Sequence, residues 1–318
     1  NMVRSFNCRI FWCDHQSLVI WLQAYMNISG LIHLFLVYIV WGSTYLAIRV
    51  AVQDGSGFPP MIMSATRVFA GCLILFGLVK FLKRKPIVVP QKELIILAIS
   101  GLALWWGGSG LVAIAETTVA SGYSALIMSC TPIWVAIIEA LIDRKKPAFL
   151  LVISLLVGLT GIAVLNWPSI SAGAIGDLKG AFLLMLAGLS WGAGSIYQKR
   201  RSTVSIPEVS SAYQQLFGGI GLLITSWILR EPEINPTSGA LWAWGYLIVF
   251  GSVIAFTSFV KALKLLPPNI VFTYAYVNPV IAVILGYIIL DEPITRWTFG
   301  GAALVIIGVL GVFKDQNN

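Results

Sequence analysis

Charge is what this chain has least of. Only 11% of its 318 residues are Asp, Glu, Lys or Arg, where a soluble globular domain carries about a quarter. Acidic residues number thirteen and histidines two. The four cysteines, Cys8, Cys13, Cys72 and Cys130, are scattered without the spacing of a metal site or a disulfide framework. Cys72 and Cys130 fall inside apolar runs, where a thiol acts as a small apolar group. No P-loop, no His-Glu-x-x-His and no nucleophile elbow occurs, which excludes direct use of ATP and the corresponding hydrolase chemistries. The longest polar connections run to about a dozen residues, too short for a soluble catalytic domain. No cofactor or metal is expected.

Apolar residues fill the gap. Hydrophobic side chains make up 58% of the chain and mean hydropathy is +0.87. Continuous apolar runs of about 20 residues recur, the length of a membrane-spanning helix. A transmembrane barrel would alternate over shorter segments instead. The predicted class is therefore an all-α membrane protein. Ten spans are predicted, near 29–50, 60–82, 93–114, 119–142, 148–166, 179–198, 208–229, 239–261, 268–290 and 297–314, joined by short turns rich in Gly, Pro and charge.

The ten spans are one unit written twice. Trp41-Gly42 recurs as Trp191-Gly192, 150 residues on. Ala115 to Pro132 matches Ala262 to Pro279 at an offset of 147, and Gly158–Gly161 matches Gly308–Gly311 at 150. Each copy holds five spans, so the second copy must enter the bilayer from the other side. Inverted repeats of this kind are a feature of secondary transporters. The net charge of +8 is distributed accordingly. With a cytoplasmic N-terminus, the predicted inner loops and tails hold all basic residues except Arg49, Arg67, Lys179, Arg230 and Arg296. That placement is a topology signal rather than a nucleic-acid surface. Residues 29–168 and 178–314 form the two predicted repeats. Residues 1–28 form a poorly ordered or interfacial extension, and residues 1–25 read either as lying upstream of the natural start or as an interfacial segment. No small-residue cleavage site marks a signal peptide.

The residues that mark the repeats resemble the EamA-type branch of the drug/metabolite transporter superfamily. The first copy reads Ile39-Val-Trp-Gly-Ser-Thr-Tyr-Leu-Ala-Ile-Arg49, Pro59-Pro60, Arg67, Ala113-Ile-Ala-Glu116 and Thr131-Pro132. The second reads Leu189-Ser-Trp-Gly192, Thr273-Tyr-Ala-Tyr-Val-Asn-Pro279, Gly286 and Asp291-Glu292-Pro293, and each copy ends in a Gly-rich span. The resemblance covers about residues 29–314. It implies two EamA repeats of five helices, cytoplasmic termini, a substrate cavity between the halves, and export or exchange of small metabolites across the bacterial inner membrane. The first copy departs at Asp143-Arg144, where the family places an acidic residue and a longer turn.

Candidate site residues follow from what is costly in lipid. Arg67 lies about seven residues into its span and Glu116 at the far end of the third; ionisable groups at such depth default to function. An ion pair of Glu116 with Arg67 or Arg49, a gate or substrate contact, and a proton-coupling site are the open readings. Trp41, Tyr45, Trp105, Trp191, Tyr197, Tyr274 and Tyr276 lie within spans, away from the interfacial belts that hold Trp242, Trp244 and Trp297. Trp41 with Tyr45 and Trp105 with Ser109 are i, i+4 pairs that share a helix face. Asn278 precedes Pro279. The candidate substrate-binding set is Trp41, Tyr45, Arg67, Trp105, Ser109, Glu116, Trp191, Tyr197, Tyr276 and Asn278, with hydrogen bonds available from Ser43, Ser195, Gln214, Gln215, Ser252 and Thr257. Pro132 and Pro279 sit mid-span at matching positions and read as hinges or as fixed kinks. The expected partners are a small-molecule substrate and the bilayer, with a coupled proton or counter-substrate open and nucleic acid excluded. The competing classes, a membrane-embedded enzyme or a non-transporting receptor, lack support: His33 is the only histidine within a span, and no outer loop is long enough for a protein partner.

Overall fold

The computed structural model describes residues 10–119, 121–165, 167–171, 178–201, 203–281 and 295–315, and within these the chain is helical, with no strand. The helices are α1 Ile10–Val52, α2 Pro60–Lys83, α3 Gln91–Ala115, α4 Ser121–Met128, α5 Thr131–Asp143 and α6 Phe149–Leu165. They continue as α7 Trp167–Ser171, α8 Leu178–Lys199, α9 Pro207–Leu229, α10 Ser238–Leu265, α11 Pro268–Val271 and α12 Arg296–Asp315. Residues 274–281 are also helical.

Six of these helices, and the run Tyr123–Asp143 that joins most of α4 to α5, are long and apolar enough to cross a bilayer, which makes the chain a multi-pass membrane protein. Two predicted spans differ for physical reasons. The apolar helix α6 has 17 residues, short of the roughly 20 that a bilayer asks for. In α9 the polar residues Ser210, Ser211, Gln214 and Gln215 are all buried. Its 23 residues rise about 35 Å at about 1.5 Å each, so polarity rather than length sets it apart. The rest of the predicted ninth span, with Gly286, Asp291, Glu292 and Pro293, lies outside the described residues. At the other end α1 continues through the predicted boundary at residue 28 back to Ile10.

The predicted span 119–142 is two helices. α4 stops at Met128 and α5 starts at Thr131, with Pro132 in its first turn. Proline suits that place because its missing N–H would have no intrahelical partner there. Hydroxyls take up freed carbonyls at the break: Ser129 Oγ donates to Leu126 O at 2.5 Å, and Thr131 Oγ1 to Met128 O at 2.6 Å. Pro132 therefore begins a helix rather than kinking one. The second copy breaks earlier, at Phe272-Thr273, and Pro279 sits inside the helix that follows. Within α3 and α10 the backbone widens into π turns at Leu102–Gly110 and Leu247–Ala255. These are nearly equivalent under the repeat offset, and such segments are frequent at functional sites.

Packing follows the repeat. α1 packs along α10, and its counterpart α8 packs along α3; α2 pairs with its counterpart α9, and α6 with α12. In the last pair two backbones touch. A Cβ on Gly308 would lie 2.7 Å from Gly158 N, and one on Gly161 2.7 Å from Val305 N, so the Gly-rich ends of the copies serve close helix approach. The outer surface is apolar, with Leu73 72% and Leu310 62% exposed, as a lipid-facing surface requires.

Candidate functional site

A cavity of about 70 Å³ lies at the centre of the bundle. α1 contributes Trp41, Thr44, Tyr45 and Ile48, one face at i, i+3, i+4 and i+7. The π turn of α3 brings Trp105, Gly108 and Ser109, followed by Val112. Arg67 enters from α2, Met128 from α4, Trp191 from α8, and Tyr274 and Asn278 from helix 274–281. The walls are aromatic edges. Trp41 meets Trp191 at a centroid distance of 5.4 Å and Tyr274 at 4.9 Å, both edge to face, a favourable ring geometry. Behind them Trp105 packs on Phe256 at 4.7 Å.

Arg67 is the charge at this site and is only 4% exposed. Its Nε donates to Ser252 Oγ at 2.9 Å, and its guanidinium carbon lies 5.3 Å from the Trp105 ring centre, within range of a cation–π contact. Nη1 has no partner. The π turn of α10 makes the approach possible, because a Cβ on Gly251 would come within 2.8 Å of Arg67 Nη2. Ser252 is held in turn by Gln215, whose Nε2 donates to Ser252 O at 3.2 Å. Asn278 faces the carbonyls of Tyr38 at 3.2 Å and Tyr274 at 3.0 Å and gives its NH2 group to them.

The ion pair considered for Glu116 does not form as pictured. Arg49 Nη1 binds the backbone carbonyls of Glu116 at 2.5 Å and Thr117 at 2.7 Å, so it caps the C-terminal end of α3. The Glu116 carboxylate is fully buried and neither oxygen accepts a hydrogen bond; Ser124 lies beside it without making one. Glu116 stands behind the cavity wall rather than in it.

Seven of the ten candidate residues, Trp41, Tyr45, Arg67, Trp105, Ser109, Trp191 and Asn278, line the cavity. The other three lie elsewhere. Tyr197 sits at the basic end of the bundle under Arg201, whose guanidinium carbon is 3.7 Å from the ring centre. Tyr276 fills the gap opposite Gly158 and donates from its hydroxyl to Leu155 O at 3.1 Å, where it packs helices. Val112 and Met128 also line the cavity and were missed because apolar side chains in a span carry no distinguishing signal. Thr44 and Ile48 were legible from the helical spacing of Trp41 and Tyr45.

Carboxylates from one copy hold helix starts in the other. Glu231, after α9, accepts from Met61 N at 2.8 Å and Ile62 N at 2.9 Å and caps α2. At the basic end Glu93, on α3, accepts from Ser205 N at 3.1 Å and from Ser205 Oγ, just before α9. A second cavity of about 280 Å³ opens there, lined in part by Gln198, Lys199, Arg201 and Lys264. Lys199 Nζ donates to Lys264 O at 3.2 Å and Leu266 O at 3.1 Å, closing the end of α10.

Comparison with known proteins matches this architecture to one family. A model of the EamA-like transporter family matches the chain twice, over residues 28–167 and 178–314. The chain belongs to the EamA-like transporter family. Its relatives include the uncharacterized inner membrane transporter YedA of Escherichia coli K12, 32% identical over 280 residues that span 87% of this chain and 88% of YedA. The uncharacterized transporter YoaV of Bacillus subtilis is 25% identical, over 85% of this chain and 92% of its own length. Protein PagO of Salmonella typhimurium is 24% identical, over 90% and 92%. A solved crystal structure shares the fold, with a TM-score of 0.71 at 20% identity over 89% of this chain and 96% of that one. The EamA chain described here is thus a membrane transporter of the drug/metabolite type, and its family implies a small-molecule substrate.

Proposed function

We propose that the protein is a secondary transporter that exports small metabolites, amino acids or drugs across the bacterial inner membrane by alternating access. In this reading ten helices form two inverted five-helix repeats, and both termini are cytoplasmic. The observation that carries it is the shared lining of the central cavity. Trp41, Arg67 and Trp105 come from the first repeat, and Trp191, Tyr274 and Asn278 from the second. A site built at a repeat interface changes its access when one repeat rocks against the other. Polar bridges join the repeats at both ends, through Glu231 with Met61 and Ile62 and through Glu93 with Ser205, so opening one mouth releases one set. The helix breaks next to Pro132 and before Pro279 supply the hinge points. The name of the relative YedA supports an inner-membrane location.

The cavity lining holds no carboxylate among the described residues, which favours exchange or facilitated export over obligatory proton coupling. The test is flux from proteoliposomes carrying the full chain, with and without a pH gradient. Trp41→Ala is expected to lower flux at least about fivefold, since it removes a wall of a mostly apolar pocket. Absence of flux for every metabolite tried would overturn the transport reading. Full activity in Trp41→Ala would overturn the assignment of the cavity, and flux that needs the pH gradient would overturn uncoupled export.

A further inference from the structure

Resting on the transport reading above, we infer that the substrate is a monocarboxylate with a flat or apolar body, and that Arg67 is the group that binds the carboxylate. A guanidinium buried in a membrane bundle needs a partner anion or acceptors for its donors. Arg67 has one acceptor side chain, Ser252 Oγ at 2.9 Å, and a ring face, Trp105. Nη1 is left without a partner, and the same residue lines the cavity. Glu116 is the buried carboxylate whose field reaches Arg67, yet its oxygens accept no hydrogen bond and it is absent from the lining. The vacant donors therefore point to an acceptor that arrives with the ligand. Planar guanidinium and carboxylate groups match in a two-bond fork.

The surroundings narrow the class. Arg67 is the one charged side chain among the described lining residues, and a single cation matches one negative charge, which disfavours phosphate dianions. The volume of about 70 Å³ admits a small head group, with the body lying along the edges of Trp41, Trp191 and Tyr274. These walls are apolar and give a charged amine no counter-ion within the lining. The neighbouring amide of Asn278 already spends its NH2 on two carbonyls and adds no charge to the site.

The experiment uses proteoliposomes that hold the full chain. They are loaded with the small-molecule fraction of a bacterial extract and with equal amounts of phenylacetate, phenylacetamide and phenethylamine. Protein-dependent efflux is read by mass spectrometry. Efflux of carboxylates, with phenylacetate preferred over phenylacetamide by at least about tenfold, is expected from one charge-assisted contact. Arg67→Gln is expected to remove that preference. If Arg67→Gln does not fold, Arg67→Lys replaces it and should reduce the preference without reversing it. Efflux confined to phosphates, amines or neutral compounds overturns this inference alone, as does a carboxylate preference left at parental strength by Arg67→Gln, or by Arg67→Lys where it stands in. No efflux of any compound overturns the transport reading itself.

Discussion

Glu231 shows how much one side chain can do in a chain with thirteen acidic residues. Its two oxygens take the N–H groups of Met61 and Ile62, donors that the start of any helix leaves unpaired. The carboxylate also meets the positive end of the α2 dipole. Glu231→Ala should therefore destabilise the protein by about 1–2 kcal/mol, as loss of a good cap does, read as a lower melting temperature in detergent. Glu231→Gln keeps one acceptor and should fall between. An unchanged melting temperature in Glu231→Ala would show that water replaces the cap. Arg67 could be picked out from sequence because a cation deep in a span is expensive wherever it sits. Glu231 could not, since its value depends on α2 starting beside it, 170 positions away in the chain. The same reasoning explains Tyr197 and Tyr276. Their type and depth matched Trp41 and Trp191, and only the neighbours of each helix decide which face turns to the cavity.

At the scale of elements, the long apolar periodicities were easy to read and the breaks within them were not. Pro132 announced an interruption, but the two hydroxyls that stabilise it, Ser129 and Thr131, turn a kink into a helix start. The π turns in α3 and α10 carried no sequence signal beyond Gly107-Gly108 and Gly251, and they deliver Trp105 and Ser252 to the site. The glycines of α6 and α12 were readable as contact points, and the contact is backbone on backbone. Gly308→Val places its Cβ 2.7 Å from Gly158 N, which no rotamer relieves. The two helices must part, at a cost of about 1–3 kcal/mol or more. The expected result is loss of monodisperse protein at a lower temperature than the parent. Gly300→Ala on the same helix, whose Cβ would have only Val164 at 3.8 Å, should change little. Equal effects of the two substitutions would show that the α6–α12 pair is not closely packed.

For the whole molecule, the repeat carried most of what the sequence disclosed. Offsets of 147 and 150 residues anticipate that α1 on α10 mirrors α8 on α3, because duplicated units bury duplicated faces. What they do not anticipate is how the copies grip each other at the ends, where the chain is irregular and the repeat lapses. At the end away from the basic cluster, Asn235 N donates to Gly57 O and Thr237 N to Ser56 O, both at 2.9 Å, beside the Glu231 cap. If transport proceeds by rocking, this contact has to open once per cycle. A Ser56→Cys, Thr237→Cys pair places two thiols on adjacent, hydrogen-bonded strands of loop, in reach of a disulfide, in a background lacking the native cysteines. Oxidation should lower flux at least about tenfold by holding that mouth shut, and a reductant should restore it. Each single variant should stay active under both conditions, which separates a lock from damage to the loop. If the oxidised pair transports at the rate of the reduced one, this end does not open, and the substrate leaves by another route.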